Sequence, residues 1–326
     1  MILHSYRVEN KIIPLDKHLY HTFIAVFDTH LGRRLVAVIK RIAVAGGYNE
    51  EILMSYAYLP VILHDIGKAL PLYQLEETGW KKGYFLHEFM GSILLYELFK
   101  DSMIHRLYDH YRDKEIPRVN VILSMVIIPV LRHHYALRDL SEQIKDFAKS
   151  ASRINREYLR FQRDNLIVLL ENLRRKINKK NPVLEKLLIE IQEGIKNLPE
   201  SKMYIDPNAM VLQRILQSTI NEVNYACEER HCKPYPSLYL FQLLSLITGV
   251  LSTADYLVAS IERPPLKNPE KAICCKGYVK KIFRRSEIIN IYNTIKNNLG
   301  IKCINLEEYT RHNIQHRERL LDSHYS

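Results

Sequence analysis

Cysteine, glycine and strand-type alternation are all scarce in this 326-residue chain. With 11 glycines and long Leu/Ile/Lys/Glu-rich stretches, the composition favours helix. The five cysteines, Cys227, Cys232, Cys274, Cys275 and Cys303, are odd in number and form no CxxC pair. That excludes the usual spacing of a disulfide framework or a zinc knuckle and indicates reduced thiols in a cytoplasmic protein. Residues 1–15 lack the apolar core and cleavage pattern of a signal peptide. No GxxxxGK(S/T) phosphate loop occurs, so no motor of that type is encoded. Charge is missing from residues 237–254, a run long enough to span a membrane. Gln242, several Ser/Thr and the acid at Asp255 point instead to a buried core helix, with no membrane partner.

What is present is positive charge and apolar helix. The formal net charge is +11 and the apolar fraction 47%, enough for a substantial core and suited to a polyanionic partner. The charge is uneven: residues 145–200 carry +5, residues 263–326 carry +7, and the rest of the chain −1. Residues 14–31 read as a first helix, with Pro14 at its start and Leu15, Leu19, Thr22 and Val26 on one stripe. Residues 50–66 read as a second, kinked or restarted at Pro60, with Gly67 as a stop. Further helices are predicted at about 87–100, 118–135, 142–176, 182–197, 207–226 and 237–260. The Arg263-Pro264-Pro265 sequence marks a boundary before a polar, basic tail. The predicted class is all-α.

Histidine and aspartate are set into several of these apolar helices. His64-Asp65 follows Leu59-Pro60-Val61-Ile62-Leu63, His87 opens HEFMGSILLYEL, and His133-His134 closes VNVILSMVIIPVLR. Asp255 lies in LSTADYLVAS, and His18 and His21 sit one turn apart on the first helix. Taken singly, such a histidine is ordinarily a core or surface residue, and such an aspartate a solvated or capping one. Together they need partners, because buried polar and charged groups are costly alone. Imidazole and carboxylate suit Mn, Fe, Co, Ni or Zn, while Mg prefers more oxygen.

LHDIGKA at 63–69, with a histidine before it and a distant aspartate after it, resembles the HD phosphohydrolase superfamily. The fuller series adds His87-Glu88 with Ser92, His133-His134, and Ala254-Asp255 followed by Ala259-Ser260. It is most similar to the stand-alone CRISPR-associated HD nuclease of type I interference systems. The resemblance covers roughly residues 10–262 through five short islands. It implies an HD-domain helical bundle over 1–262, with 145–200 a basic helical insertion and 263–326 a basic C-terminal extension of unknown role. It implies one divalent ion on His18, His64, Asp65 and Asp255. Asp65 would bridge to a second ion on His87, His133 and His134, with Lys68 near the phosphate. The ions would be Mn, Mg, Co, Ni or Fe. His18 is preferred over His21 because PLDKHL matches the family's opening. The implied partners are single-stranded DNA or RNA, a separate CRISPR helicase and the crRNA effector complex.

Arg153, Arg156, Arg160 and Arg163 recur at helical spacing with Tyr158 and Phe161 between them, which predicts an arginine–aromatic face for single strands. Lys280, Lys281, Arg284 and Arg285 add charge in the tail. Glu88 is either a partner for a ligand histidine or an exposed acid at a helix start. Two other readings stay open: an HD enzyme on nucleotides or cyclic nucleotides, and a non-catalytic nucleic-acid-binding subunit.

Overall fold

The computed structural model describes residues 3–8, 11–75, 86–99, 119–134, 140–151, 153–178, 180–206, 235–262 and 281–299. The five cysteines, the predicted helix at 207–226, Lys280 and most of the tail lie outside the described residues.

The chain is an all-α bundle. Eleven helices are used below: α1 Leu15–Phe27, α2 His30–Gly46, α3 Glu50–Leu63, α4 Pro71–Gln74, α5 His87–Leu98, α6 Val119–Arg132, α7 Leu140–Ala151, α8 Arg163–Ile177, α9 Pro182–Asn197, α10 Tyr235–Glu262 and α11 Arg285–Leu299. A small antiparallel hairpin, β1 His4–Val8 with β2 Lys11–Pro14, precedes α1. It was not visible in the weak strand patterning. Gln74 ties it to the core, its Oε1 accepting from the His4 amide at 2.9 Å and its Nε2 donating to the His4 carbonyl at 3.0 Å.

Local sequence explains where the helices start and stop. The predicted first helix is two. It ends at Phe27, and the Thr29 side chain then caps α2 by accepting from Leu31 N at 3.3 Å. Gly47, at φ 69°, closes α2 in the left-handed conformation that glycine adopts without strain. Asn49 caps α3 and Asn181 caps α9. The helix α3 runs unbroken through Pro60, and α6 through Pro129. The predicted stripe Leu15, Leu19, Thr22 and Val26 is buried, as is the matching stripe Leu31, Leu35, Ile39 and Ala43 of α2.

Helices α1 and α3 pack together, flanked by α2, and α6 packs on α3 and α5. Residues 163–197 form the hairpin α8–α9, whose arms pack on α1 and α3. The predicted helix 142–176 is therefore corrected: α7 ends at Ala151, and α8 begins only at Arg163. Between them, Arg160 pairs in an antiparallel bridge with Tyr204. This long-range pairing overrides the local helical pattern.

By compactness the chain divides into Met1–Tyr256 and Leu257–Ser326, with the boundary inside α10. In the second unit, α11 buries Ile288, Ile291 and Ile295. Gln242–Glu262 is the one described segment long and apolar enough to cross a membrane by length and composition, and it is mostly buried.

Gly67 sits where two segments touch. It lies in the 3-10 turn Ile66–Ala69 after Asp65, and a Cβ there would stand 1.9 Å from the His87 carbonyl. Backbone occupies that space, so it cannot yield cheaply. Gly67→Ala is expected to destabilise the fold by about 3 kcal/mol in chemical denaturation. A loss below about 1 kcal/mol would contradict this packing.

Candidate metal centre

Five helices deliver seven side chains to one place. His18 comes from α1, His64-Asp65 from the end of α3, His87 from the start of α5, His133-His134 from the end of α6, and Asp255 from α10. Among the described residues, they form two groups that can hold a metal ion: His18, His64, Asp65 and Asp255, and Asp65, His87, His133 and His134. Within each group the ligand atoms all lie within 4.8 Å of one another. His21 belongs to neither group, and its ring lies beside Tyr20.

Asp65 is common to both groups and divides its oxygens between them. Oδ2 is 3.2 Å from His18 Nε2 and 3.5 Å from His64 Nε2. Oδ1 is 2.7 Å from His87 Nε2 and 3.6 Å from His133 Nε2. Asp255 Oδ1 closes the first group, 3.1 Å from His18 Nε2 and 3.5 Å from His64 Nε2.

The helix ends set the histidine tautomers. The last four carbonyls of any helix lack an intrahelical donor. In α3 one of these is Val61 O, which accepts from His64 Nδ1 at 2.9 Å. In α6 it is Val130 O, which accepts from His133 Nδ1 at 2.6 Å. The two ends share the order Pro-Val-x-x-His, as Pro60-Val61 to His64 and Pro129-Val130 to His133. A carbonyl can only accept, so Nδ1 carries the proton and the neutral ring turns its Nε2 lone pair inward. His87 follows the same rule with a side chain: its Nδ1 lies 3.2 Å from Glu88 Oε2, and Glu88 is buried. Glu88 is thus a partner of a ligand histidine and not an exposed acid.

Several inward atoms lack aligned partners. His64 Nε2, His133 Nε2 and Asp65 Oδ1 are buried with no hydrogen bond. Lone pairs aimed at a carboxylate repel it, and a cation between them removes the conflict. The imidazole and carboxylate donors fit a divalent transition ion, which completes the match between residues and metal.

Electrostatics follow from burial and charge. Burial pushes the Asp65 carboxyl up, but the Lys68 ammonium, His64 and His87 outweigh it and hold the group well below the usual range. Asp255 is likewise held well below despite burial, chiefly by His18, hydrogen-bonded to it at 3.1 Å, and by the nearby His64. Burial lowers His64. His133 is raised, because burial, which lowers it, is outweighed by its nearness to the Asp65 carboxylate. His134 is lowered by burial and by His133 and His87, although about a third of its side chain is exposed, at 33%.

Lys68 is buried and ion-paired to Asp65. Two further residues support the centre and were not foreseen. Gln74 Nε2 donates to the Lys68 carbonyl at 2.6 Å, and Ser252 Oγ donates to the His133 carbonyl at 2.7 Å. Ser252 lies on α10 three residues before Asp255, so one helix fixes both. Their only sequence signal was nearness to a ligand. Leu86, just before His87, adopts φ 72°, a left-handed conformation that costs a leucine roughly 1–2 kcal/mol.

The predicted arginine face does not form a helix. Arg153 is exposed in a turn, Arg156 lies in a 3-10 turn, Arg160 is extended and Arg163 opens α8. Arg163 is committed to structure: it donates to the Lys196 and Leu198 carbonyls at 2.7 Å each and to Glu200 at 2.6 Å. Arg160 also pairs with Glu200. Phe161 is buried and offers no stacking surface. Arg156 keeps an exposed guanidinium 4.3 Å above the Tyr204 ring, on a turn that packs against α4.

No protein-family model, curated protein or solved structure matches this chain.

Two outcomes are expected for metal binding. Glu88→Gln should weaken manganese affinity about 10- to 100-fold in calorimetric titration, because it loosens His87. An unchanged affinity would show that the contact does not orient the ligand. As pH falls a metal must also displace protons, since the inward Nε2 must be free to bind and His133, raised relative to an isolated imidazole, takes up its second proton at higher pH than that imidazole does. Affinity should fall about tenfold per pH unit on acidification for each proton displaced. A binding enthalpy independent of buffer ionisation heat would contradict proton release.

Proposed function

We propose that this protein is a metal-dependent phosphohydrolase that cuts phosphodiester bonds of single-stranded nucleic acid at two divalent ions shared by Asp65. The observation that carries the reading is the division of Asp65, with one oxygen turned to each ligand group. Bound there, Mn, Mg, Co, Ni or Fe would activate water near neutral pH and stabilise charge on the phosphate oxygens.

The chain's own residues prepare the site. Val61 O, Val130 O and Glu88 hold three imidazoles in the tautomer that presents Nε2. Lys68 keeps a positive charge beside Asp65 and offers it to a substrate phosphate. The other six ligand residues are buried while His134 is partly exposed, so substrate approaches past His134. The exposed Arg156 on Tyr204, near α4, supplies a flat cationic surface for an unpaired base. The net charge of +11 favours the polyanion over a mononucleotide. The resemblance to the CRISPR-associated HD nuclease supplies the setting: single-stranded DNA delivered by a separate helicase and a crRNA effector complex, in the cytoplasm.

The test is cleavage of circular and linear single-stranded DNA with Mg, Mn, Co or Ni. Metal-dependent cleavage is expected, and Asp65→Ala should lower it by roughly a thousandfold or more while far-UV circular dichroism stays unchanged. Cleavage retained in Asp65→Ala, or hydrolysis confined to free nucleotides, would overturn the proposal.

A further inference from the structure

The outer face of α2 is left unused by the metal centre. From His30 to Gly46 the helix has no acidic residue and carries Arg33, Arg34, Lys40 and Arg41. Its inner face buries Leu31, Gly32, Leu35, Ile39 and Ala43, so the four cations share the outer one. All four are exposed. Lys40 makes one exposed pair with Glu50 at 3.4 Å. Arg33, Arg34 and Arg41 make no ion pair with any described residue.

We propose that this face is a track for the phosphate backbone of single-stranded nucleic acid, leading to the metal centre; this rests on the nuclease reading above. The placement supports it. A Cβ on Gly32 would lie 3.3 Å from Tyr58 Oη, so the start of α2 packs beside Tyr58 on α3. Tyr58 precedes His64 by six residues, about 9 Å of helix rise. The Lys40–Glu50 pair fixes the other end, so α2 runs away from the centre. The pair Arg33-Arg34 and the pair Lys40-Arg41 are seven residues apart, about 10.5 Å. A stacked strand places one phosphate about every 3.4 Å, so the two cation pairs meet phosphates about three nucleotides apart. The regular charge of a phosphate backbone fits this repeat. A membrane surface does not, because the exposed apolar side chains of this helix are Ala37, Val44 and Ala45, too small to insert.

The experiment uses the full chain carrying Asp65→Ala, so that cleavage does not consume the probe. Fluorescence anisotropy of a labelled 20-nucleotide oligothymidylate is read across a series of salt concentrations, with and without Arg33→Gln, Arg34→Gln and Arg41→Gln together. The triple change should weaken binding about tenfold or more at low salt and lower the slope of log affinity against log salt by about 2, about 0.7 per lost contact. Each single change should lower it by about 0.7, which keeps the test valid if the triple variant melts early. If the parent binds and the variants bind equally with the same slope, the track is overturned and the nuclease reading stands. If the parent does not bind the oligonucleotide at low salt, both fall. Binding to phosphatidylserine vesicles in place of DNA also overturns the track.

Discussion

A buried carboxylate surrounded by imidazole nitrogens cannot stand without positive charge. Asp65 is fully buried, and the lysine cation paired with it among the described residues is the Lys68 ammonium. Leaving a buried charge without compensation costs about 3–5 kcal/mol, and lone pairs turned toward it add to that. The fold nevertheless aims Nε2 of His64 and His133 inward, with no hydrogen bond to either. The arrangement is one that could hold a divalent cation.

The means of building that receptor is economical. Unpaired carbonyls at helix ends are a general problem. In α3 and α6 the following histidine solves it through Nδ1, and the same bond directs Nε2. One hydrogen bond therefore caps a helix and prepares a ligand. The prolines on the preceding turns, Pro60 and Pro129, lie at the same offset from His64 and His133. The tight approach of Gly67 to the His87 carbonyl then brings the α5 ligand against the Asp65 turn.

Much of the centre was legible because its residues break the apolar pattern of core helices. His64-Asp65, His87, His133-His134 and Asp255 each interrupt a hydrophobic run, and His18 was separated from His21 only by family likeness. The structure separates them by distance, with His18 at the centre and His21 outside it. The helix α2 escaped notice because the pattern through residue 31 reads as continuous, while α1 in fact ends at Phe27 and Thr29 caps a new helix. The arginines at 153–163 misled for the opposite reason. Their spacing is helical, but the Arg160–Tyr204 bridge and the bonds of Arg163 to Glu200 and to the Lys196 and Leu198 carbonyls set the backbone instead. Contacts such as Ser252 to His133 O depend on chain segments far apart in sequence and leave no local trace.

The central proposal is that Asp65 is shared between two cations, and electron paramagnetic resonance of the chelator-stripped chain titrated with manganese tests it most directly. Two ions per chain with a spin-coupled dimanganese signal, lost in Asp65→Ala, is the result this account predicts. No bound ion, a single ion, or two ions with uncoupled signals would contradict it.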